Sequence, residues 1–199
     1  MPPLFKFTRE EILNTAFGLV REKGWNFLTT RAIAERLGSS ARPIYSFFRS
    51  IDDLEEALVK MSVDRLFEYM IRERTGDPWI DHGIGYVLFA REEKYLFRGS
   101  NNEKNIKHFK AYGEKIWDTL THSLAQYPPF KGLSEEQVYK IQATRWLLAH
   151  GLAFQVSNPP PDVWDEDTIM TMIQEGSRAV YEGLKIQFNL EEKEPKLMP

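Results

Sequence analysis

Residues 28–48, LTTRAIAERLGSSARPIYSFF, constrain the fold more than any other stretch of this chain. Thr29 and Thr30 carry hydroxyls that accept hydrogen bonds from the free N–H groups opening a helix. Ala32, Ile33, Ala34 and Leu37 then give a short helix with one apolar face. Gly38 stops it, because glycine enters the left-handed backbone conformation of a helix end without a Cβ clash. Ser39 and Ser40 are expected to cap a second short helix, running from Ser40 to Phe48 and carrying Ile44, Tyr45, Phe47 and Phe48. Two short helices around a tight glycine turn form a helix-turn-helix, whose second helix suits the major groove of DNA. The alternative is a helix-turn-helix used for packing or for contact with another protein.

The same residues resemble a known pattern. Written TTxAIAxxLGxSxxxxYxxFxSxxxL, they include Thr29, Thr30, Ile33, Ala34, Leu37, Gly38, Ser40, Tyr45, Phe48, Ser50 and Leu54. The pattern is similar to the signature of the TetR/AcrR family of bacterial transcriptional regulators, from about residue 12 to residue 58. That resemblance implies an all-α protein. An N-terminal three-helix DNA-binding head over residues 1–51 would be followed by a helical ligand-binding and dimerisation body over residues 52–190. Residues 191–199 are charged and proline-flanked and are expected to be a disordered tail.

Charge agrees with a head and a body. The net charge of −3 argues against nucleic-acid binding by the chain as a whole, but the charge is unevenly spread. Residues 1–50 hold eight Lys/Arg against four Asp/Glu, and residues 51–199 hold 18 against 25. A basic head on an acidic body is what a DNA-reading head needs. No apolar run approaches the ~20 residues of a membrane span, and the N-terminus MPPLFKFTREE lacks the apolar centre of a secretory signal. Cysteine is absent from the sequence, which excludes disulfides, thiolate metal sites and cysteine nucleophiles. Together these features favour a cytoplasmic protein with no membrane partner and no cofactor.

The rest of the chain reads as helices with clear punctuation. Thr8 and Glu11 make a capping box for a first helix that Gly24 ends. Trp25 and Phe27 are expected to plug the gap beneath the helix-turn-helix. Ser50 with Asp53 opens a long helix to about residue 74, a strut between head and body. Asp77-Pro78 opens the next, to about residue 93, where Glu92 and Glu93 read as a solvated helix end. A short piece follows over 94–98, then a loop from Gly99 to Asn102. Further helices are expected over 103–126, from a Ser134–Gln137 capping box to about 156, and over 165–187, with a polyproline break at residues 158–161. This gives roughly nine helices and no strand pattern.

On the expected groove-facing helix, Ser39, Ser40, Ala41, Arg42 and Pro43 come first and point toward bases. Arg42 is the best base reader, because its fork matches O6 and N7 of guanine; the alternative is a phosphate clamp or a solvated surface arginine. Thr29, Thr30 and Arg31 open the preceding helix, where hydroxyls and free N–H groups suit phosphate. The family resemblance makes Tyr45 a phosphate contact. Phe47 stands where a His or Tyr is common and has no donor, and Ile51 stands where a lysine is common. Phosphate affinity would then lean on Arg49.

In the body, the resemblance implies a small-molecule pocket and a four-helix dimer interface. Ala149, Gly151, Ala153, Gly176, Ala179 and Gly183 are small enough for close helix approach, either between subunits or within one. The expected interface comprises Leu148, Gly151, Leu152, Ile169, Met172, Ile173, Gly176 and Val180. The stretch WLLAHGL, residues 146–152, is similar to the WHG-type sequence of one TetR-family group. Candidate pocket residues are Tyr86, Phe89, His108, Tyr112, Arg145, Trp146 and His150, with simple core packing as the alternative. An apolar helical pocket with a few polar anchors suits a hydrophobic or aromatic effector. Enzyme motifs are missing: there is no metalloprotease helix, nucleophile elbow, di-iron pair or phosphate loop, and the four histidines are scattered. The sequence therefore points to a DNA-binding regulator, with double-stranded DNA, a second copy and a small-molecule effector as partners.

Overall fold

The structure is a computed structural model that describes residues 7–99, 105–124, 127–158 and 163–188. The tail at 191–199, the proline run after Asn158 and most of the loop after Gly99 lie outside these residues. Among the described residues there are nine α-helices and no strand. They are α1 Arg9–Lys23, α2 Thr30–Arg36, α3 Arg42–Phe47, α4 Ile51–Ile71, α5 Pro78–Glu92, α6 Lys94–Gly99, α7 Ile106–Ser123, α8 Glu135–Ser157 and α9 Glu166–Gln187.

The local signals act as physical chemistry requires. Thr8 Oγ1 accepts from the Glu11 backbone N–H while Glu11 accepts from the Thr8 N–H, closing the first capping box. Ser134 and Gln137 close another at α8. Asp77 caps α5 by accepting from the N–H groups of Trp79 and Ile80, with Pro78 at the first position. Such caps each contribute about 1 kcal/mol.

Two boundaries differ from expectation. The second helix of the helix-turn-helix begins at Arg42, and neither Ser39 nor Ser40 caps it. A serine cap at position 40 would bond the N–H three residues on, and that residue is Pro43, which has none. The long helix ends at Ile71. Beyond it, the buried Asp81 carboxylate accepts from the backbone N–H groups of Arg74 and Thr75 and from the Thr75 hydroxyl. Those donors turn toward Asp81 instead of continuing the helix.

Helix α5 is the axis of the body. It packs on α4, α6, α8 and α9 and is buried along most of its length. Gly85 sits against the backbone of α4 at Tyr69, where a Cβ has no room. One continuous core runs from the head, through Ile12, Leu19, Ile33, Ile44 and Phe48, into Leu54, Leu58, Ile84, Phe97 and Ile173. A smaller cluster of Trp79, Leu124, Phe130 and Ile141 closes the far end.

The seam between head and body departs from expectation in two ways. Phe27 is 58% exposed and plugs nothing. Trp25 packs instead against Gly99 of α6 and edge-on to Phe109 of α7, with ring centroids 6.3 Å apart. Glu93 is not solvated: it is 4% exposed, and Arg21 of α1 clamps it with two hydrogen bonds, at 2.7 and 2.5 Å. Arg65 of α4 lies 3.5 Å from the same carboxylate. Glu92 accepts from the Tyr69 hydroxyl at 2.7 Å. The two glutamates were legible as a helix end, but the partner from α1 is 72 residues away and invisible to local pattern.

Candidate nucleic-acid interface and ligand cavity

Thr29 caps α2 by accepting from the Ala32 N–H at 3.1 Å, and Gly38 makes the turn with φ of 60°. Ile44 of α3 and Phe48, which ends the helix, are fully buried anchors. The Arg9 guanidinium lies 4.8 Å from the centre of the Phe48 ring and covers it from outside. Anchoring by these two side chains leaves Arg42, Tyr45 and Ser46 on the outer face, all exposed. Pro43 and Ala41 are half-buried beside them, as are Ser39 and Phe47, and Phe47 packs on the core. Ser40, Thr29, Arg31 and Arg49 are exposed, and Thr30 is half-buried.

The basic side chains of the head are not equivalent. Arg36 is tied to Glu22 by a bidentate ion pair, one arm at 2.7 Å, and Arg21 is tied to Glu93. Arg42 is exposed, and its side chain makes no hydrogen bond or ion pair among the described residues. Its backbone carbonyl accepts from the Ser46 hydroxyl at 3.2 Å. The N-terminal turn of α4 carries Asp52 and Asp53, and Asp53 already accepts the Arg49 backbone N–H at 2.9 Å.

A cavity of about 860 Å³ opens in the body between α4, α5, α7 and α8, with Phe97 of α6 at one side. Tyr86, Phe89, Arg145, Trp146 and His150 line it. His108 and Tyr112 do not. His108 turns to α4, with Nδ1 3.8 Å from the Glu56 carboxylate, and Tyr112 sits outside the lining. Both lie on the face of α7 turned away from the cavity, while Phe109, Lys110 and Trp117 of the same helix line it.

The polar groups of the cavity are few. Tyr86 Oη and His150 Nδ1 are 2.9 Å apart, and the His150 ring stacks on Trp146 at 4.9 Å. Burial pushes the Tyr86 hydroxyl well above its ordinary range and lowers His150, so both are neutral at pH 7. His82 and Gln142 also line the cavity, and sequence reasoning passed over both. The signal for Gln142 was there: it falls, three residues before Arg145, on the same face of α8 as the buried Ile141 and Ala149. Polar side chains on a buried helix face call for a partner.

The expected dimer residues divide sharply. Ile169 and Ile173 are fully buried inside the protomer and Leu152 nearly so, because α9 packs on α5 and α8 of its own chain. Gly176 is covered by the Leu148 side chain of the same chain, where a Cβ would meet Leu148 Cδ1 at 2.7 Å. Ile169, Ile173 and Leu152 therefore serve internal packing, while Leu148 and Gly176 are half-buried and pack on each other. Gly151 and Met172 are exposed and Val180 is half-buried. The outer face of α8 adds Leu147 and Phe154, 63% and 55% exposed, which were not among the expected residues.

Among the described residues, no helix is long and apolar enough to cross a membrane. Residues 12–58 match the family model of bacterial regulatory proteins, tetR family. An uncharacterized HTH-type transcriptional regulator of Mycobacterium tuberculosis is 23% identical over 171 residues, covering 83% of this chain and 78% of the relative. The crystal structure of a transcriptional regulator from Rhodococcus sp. Rha1 matches with a TM-score of 0.69 at 14% identity, over 89% of this chain and 97% of that one. A glutamine-to-alanine variant of TetR from Acinetobacter baumannii AYE, in complex with minocycline, matches with a TM-score of 0.53 at 17% identity, over 92% and 98%.

Proposed function

We propose that this chain, a tetR-family bacterial regulatory protein with a DNA-binding helix-turn-helix, represses transcription as a homodimer on a palindromic operator and lets go when a small apolar or aromatic molecule fills its cavity. One observation carries the reading. Arg42 and Tyr45 stand exposed on a short helix whose opposite side, Ile44 and Phe48, is fully buried, so the rod is rigidly held and its outer face is open to a groove. In this reading Arg42 specifies a base, while Thr29, Thr30, Arg31, Tyr45 and Arg49 contact phosphates.

A single head covers about one half-site, too little for high specificity, so two are needed. Leu147, which also borders the cavity, Gly151, Phe154 and Met172 are exposed apolar residues of α8 and α9, and this surface pairs with its twin across a two-fold axis. Such exposed large apolar side chains belong at an interface. The functional division then falls near residue 51: a reading head, and a body over 52–190 that pairs and senses.

Release follows from connectivity. Helix α4 starts three residues after Phe48 and carries Ser62, Val63, Leu66 and Met70 into the cavity wall. A molecule that fits one head spacing better than the other shifts the population toward it. The minocycline complex of the TetR variant supports a small-molecule ligand for a protein of this fold.

Selection of bound fragments from a random DNA pool tests the reading. An inverted repeat with half-sites about 10 base pairs apart, or a multiple, is expected. No enriched sequence, or a monomer by sedimentation at micromolar concentration, contradicts it and favours a head that binds protein.

A further inference from the structure

Three polar side chains meet in the apolar cavity without partners of their own. Arg145 is 6% exposed, Gln142 and His82 comparably little, and all three line the cavity. Arg145 Nε, Gln142 Nε2 and His82 Nδ1 have no hydrogen-bond partner. The carboxylates in the neighbourhood are already engaged. Asp77 caps α5 and accepts from the Tyr127 hydroxyl at 2.6 Å; Asp81 holds the turn at Arg74 and Thr75. Among the described residues no carboxylate lies within ion-pairing distance of Arg145. The Asp77 charge supports Arg145 through space without forming an ion pair, and the Trp79 ring lies 5.4 Å from the guanidinium carbon. Gly83 of α5 leaves room for the guanidinium, since a Cβ there would meet Arg145 Nη1 at 2.7 Å.

A buried guanidinium without an anion is costly, and the cost is recovered when an anion arrives. The fork of an arginine matches a planar carboxylate, and a neighbouring amide N–H₂ adds a third donor. The remaining wall is mainly aromatic and aliphatic, with Lys110 and Glu114 as exposed charged residues of the α7 side, and it suits an apolar body. The geometry points to an effector that is an apolar monocarboxylic acid, with an alkyl or aromatic body in the cavity and its carboxylate on Arg145 and Gln142. This rests on the effector-released regulator reading and names its ligand class. No covalent step is involved, and His82 serves as a neutral neighbour of the carboxylate. Burial and the adjacent Arg145 charge lower His82 to about 4, so it adds no second cation at neutral pH.

The test uses the full-length protein without DNA. Trp117 and Trp146 line the cavity, so their fluorescence follows occupancy. The probes are octanoate, dodecanoate, 4-phenylbutyrate and 1-naphthoate, each compared with its primary amide. At least one acid is expected to bind roughly 10-fold or more tightly than its amide, the range of a charge-assisted hydrogen bond. Arg145→Met should erase that preference and leave amide binding within about threefold, and Arg145→Lys should restore part of it. Gln142→Leu, which keeps the arginine, should reduce the preference several-fold. Binding of no acid in the panel, equal binding of acid and amide, or a preference that survives Arg145→Met overturns the proposal. Release of DNA is read separately: an acid that binds through Arg145 but leaves the DNA complex intact upholds the site and counts against the regulator reading.

Discussion

Glu93 and Arg145 are both charged groups withdrawn from water, about fifty residues apart in sequence, and their surroundings could hardly differ more. Glu93 is met from two directions, by the clamp of Arg21 and by Arg65. Its pair joins α1 of the head to the end of α5, the helix that also carries Tyr86 and Phe89 of the cavity wall. Arg145 has no ion-pair partner among the described residues, only the more distant Asp77 charge; it leaves Nε unbonded and lines the cavity of about 860 Å³. A buried charge that the chain itself neutralises is a structural joint. A buried charge that it leaves open is a receptor for something from outside. Substitutions at the two places should therefore act differently, on folding in one case and on binding in the other.

The largest effect is expected at the joint. Arg21→Met leaves Glu93 buried with only the longer Arg65 contact, and should destabilise the protein by about 2–3 kcal/mol, less than a fully buried pair because Arg21 is itself half in water. Urea denaturation checks this, and an unchanged midpoint would break the contrast. Next comes pH. His82 has its folded value depressed to about 4, against 6.5 for the free side chain, first by burial and then by Arg145. The unfolded chain takes up this proton first, so the stability His82 allows is complete above pH 6.5 and drains away as pH falls toward 4. The loss should reach about 2 kcal/mol by pH 5. His82→Gln should flatten that part of the pH profile, and an unaltered profile would place the titration elsewhere.

A smaller effect is expected where the two helices meet at the open charge. Gly83→Ala should cost about 1–2 kcal/mol by crowding Arg145 and Ile173, and less in an Arg145→Met background, as a double-mutant cycle would show. Smallest of all, Arg145→Met alone should change stability by under about 1 kcal/mol or raise it, because it removes an unpaired buried charge. Thermal unfolding reads this directly. A large loss of stability would make Arg145 a second structural joint.

Legibility in the sequence followed the same division. The caps at Thr8, Ser50, Asp77 and Ser134 were readable because each is a bond between residues two or three apart. The helix-turn-helix was readable for the same reason, apart from the start of α3, where Pro43 removed the donor that a serine cap needs. Periodicity alone could not tell which small residues of α8 and α9 face their own chain. Gly176 was spent on Leu148, while Leu147 and Phe154 remained outside. Long-range pairs were beyond reach: Glu93 finds Arg21, and His108 turns to Glu56 rather than to the cavity. Arg145 was legible as a pocket candidate, whereas Gln142, a polar residue on the same buried face of α8, was passed over.

The DNA-reading claim is tested most directly by titrating Arg42→Ala against a selected operator and against random DNA at one salt concentration. The account predicts a loss of roughly 10- to 100-fold on the operator, the range for losing one bidentate base contact, with random DNA changed less than about threefold. An equal loss on both would show that Arg42 holds phosphate and that sequence is read elsewhere.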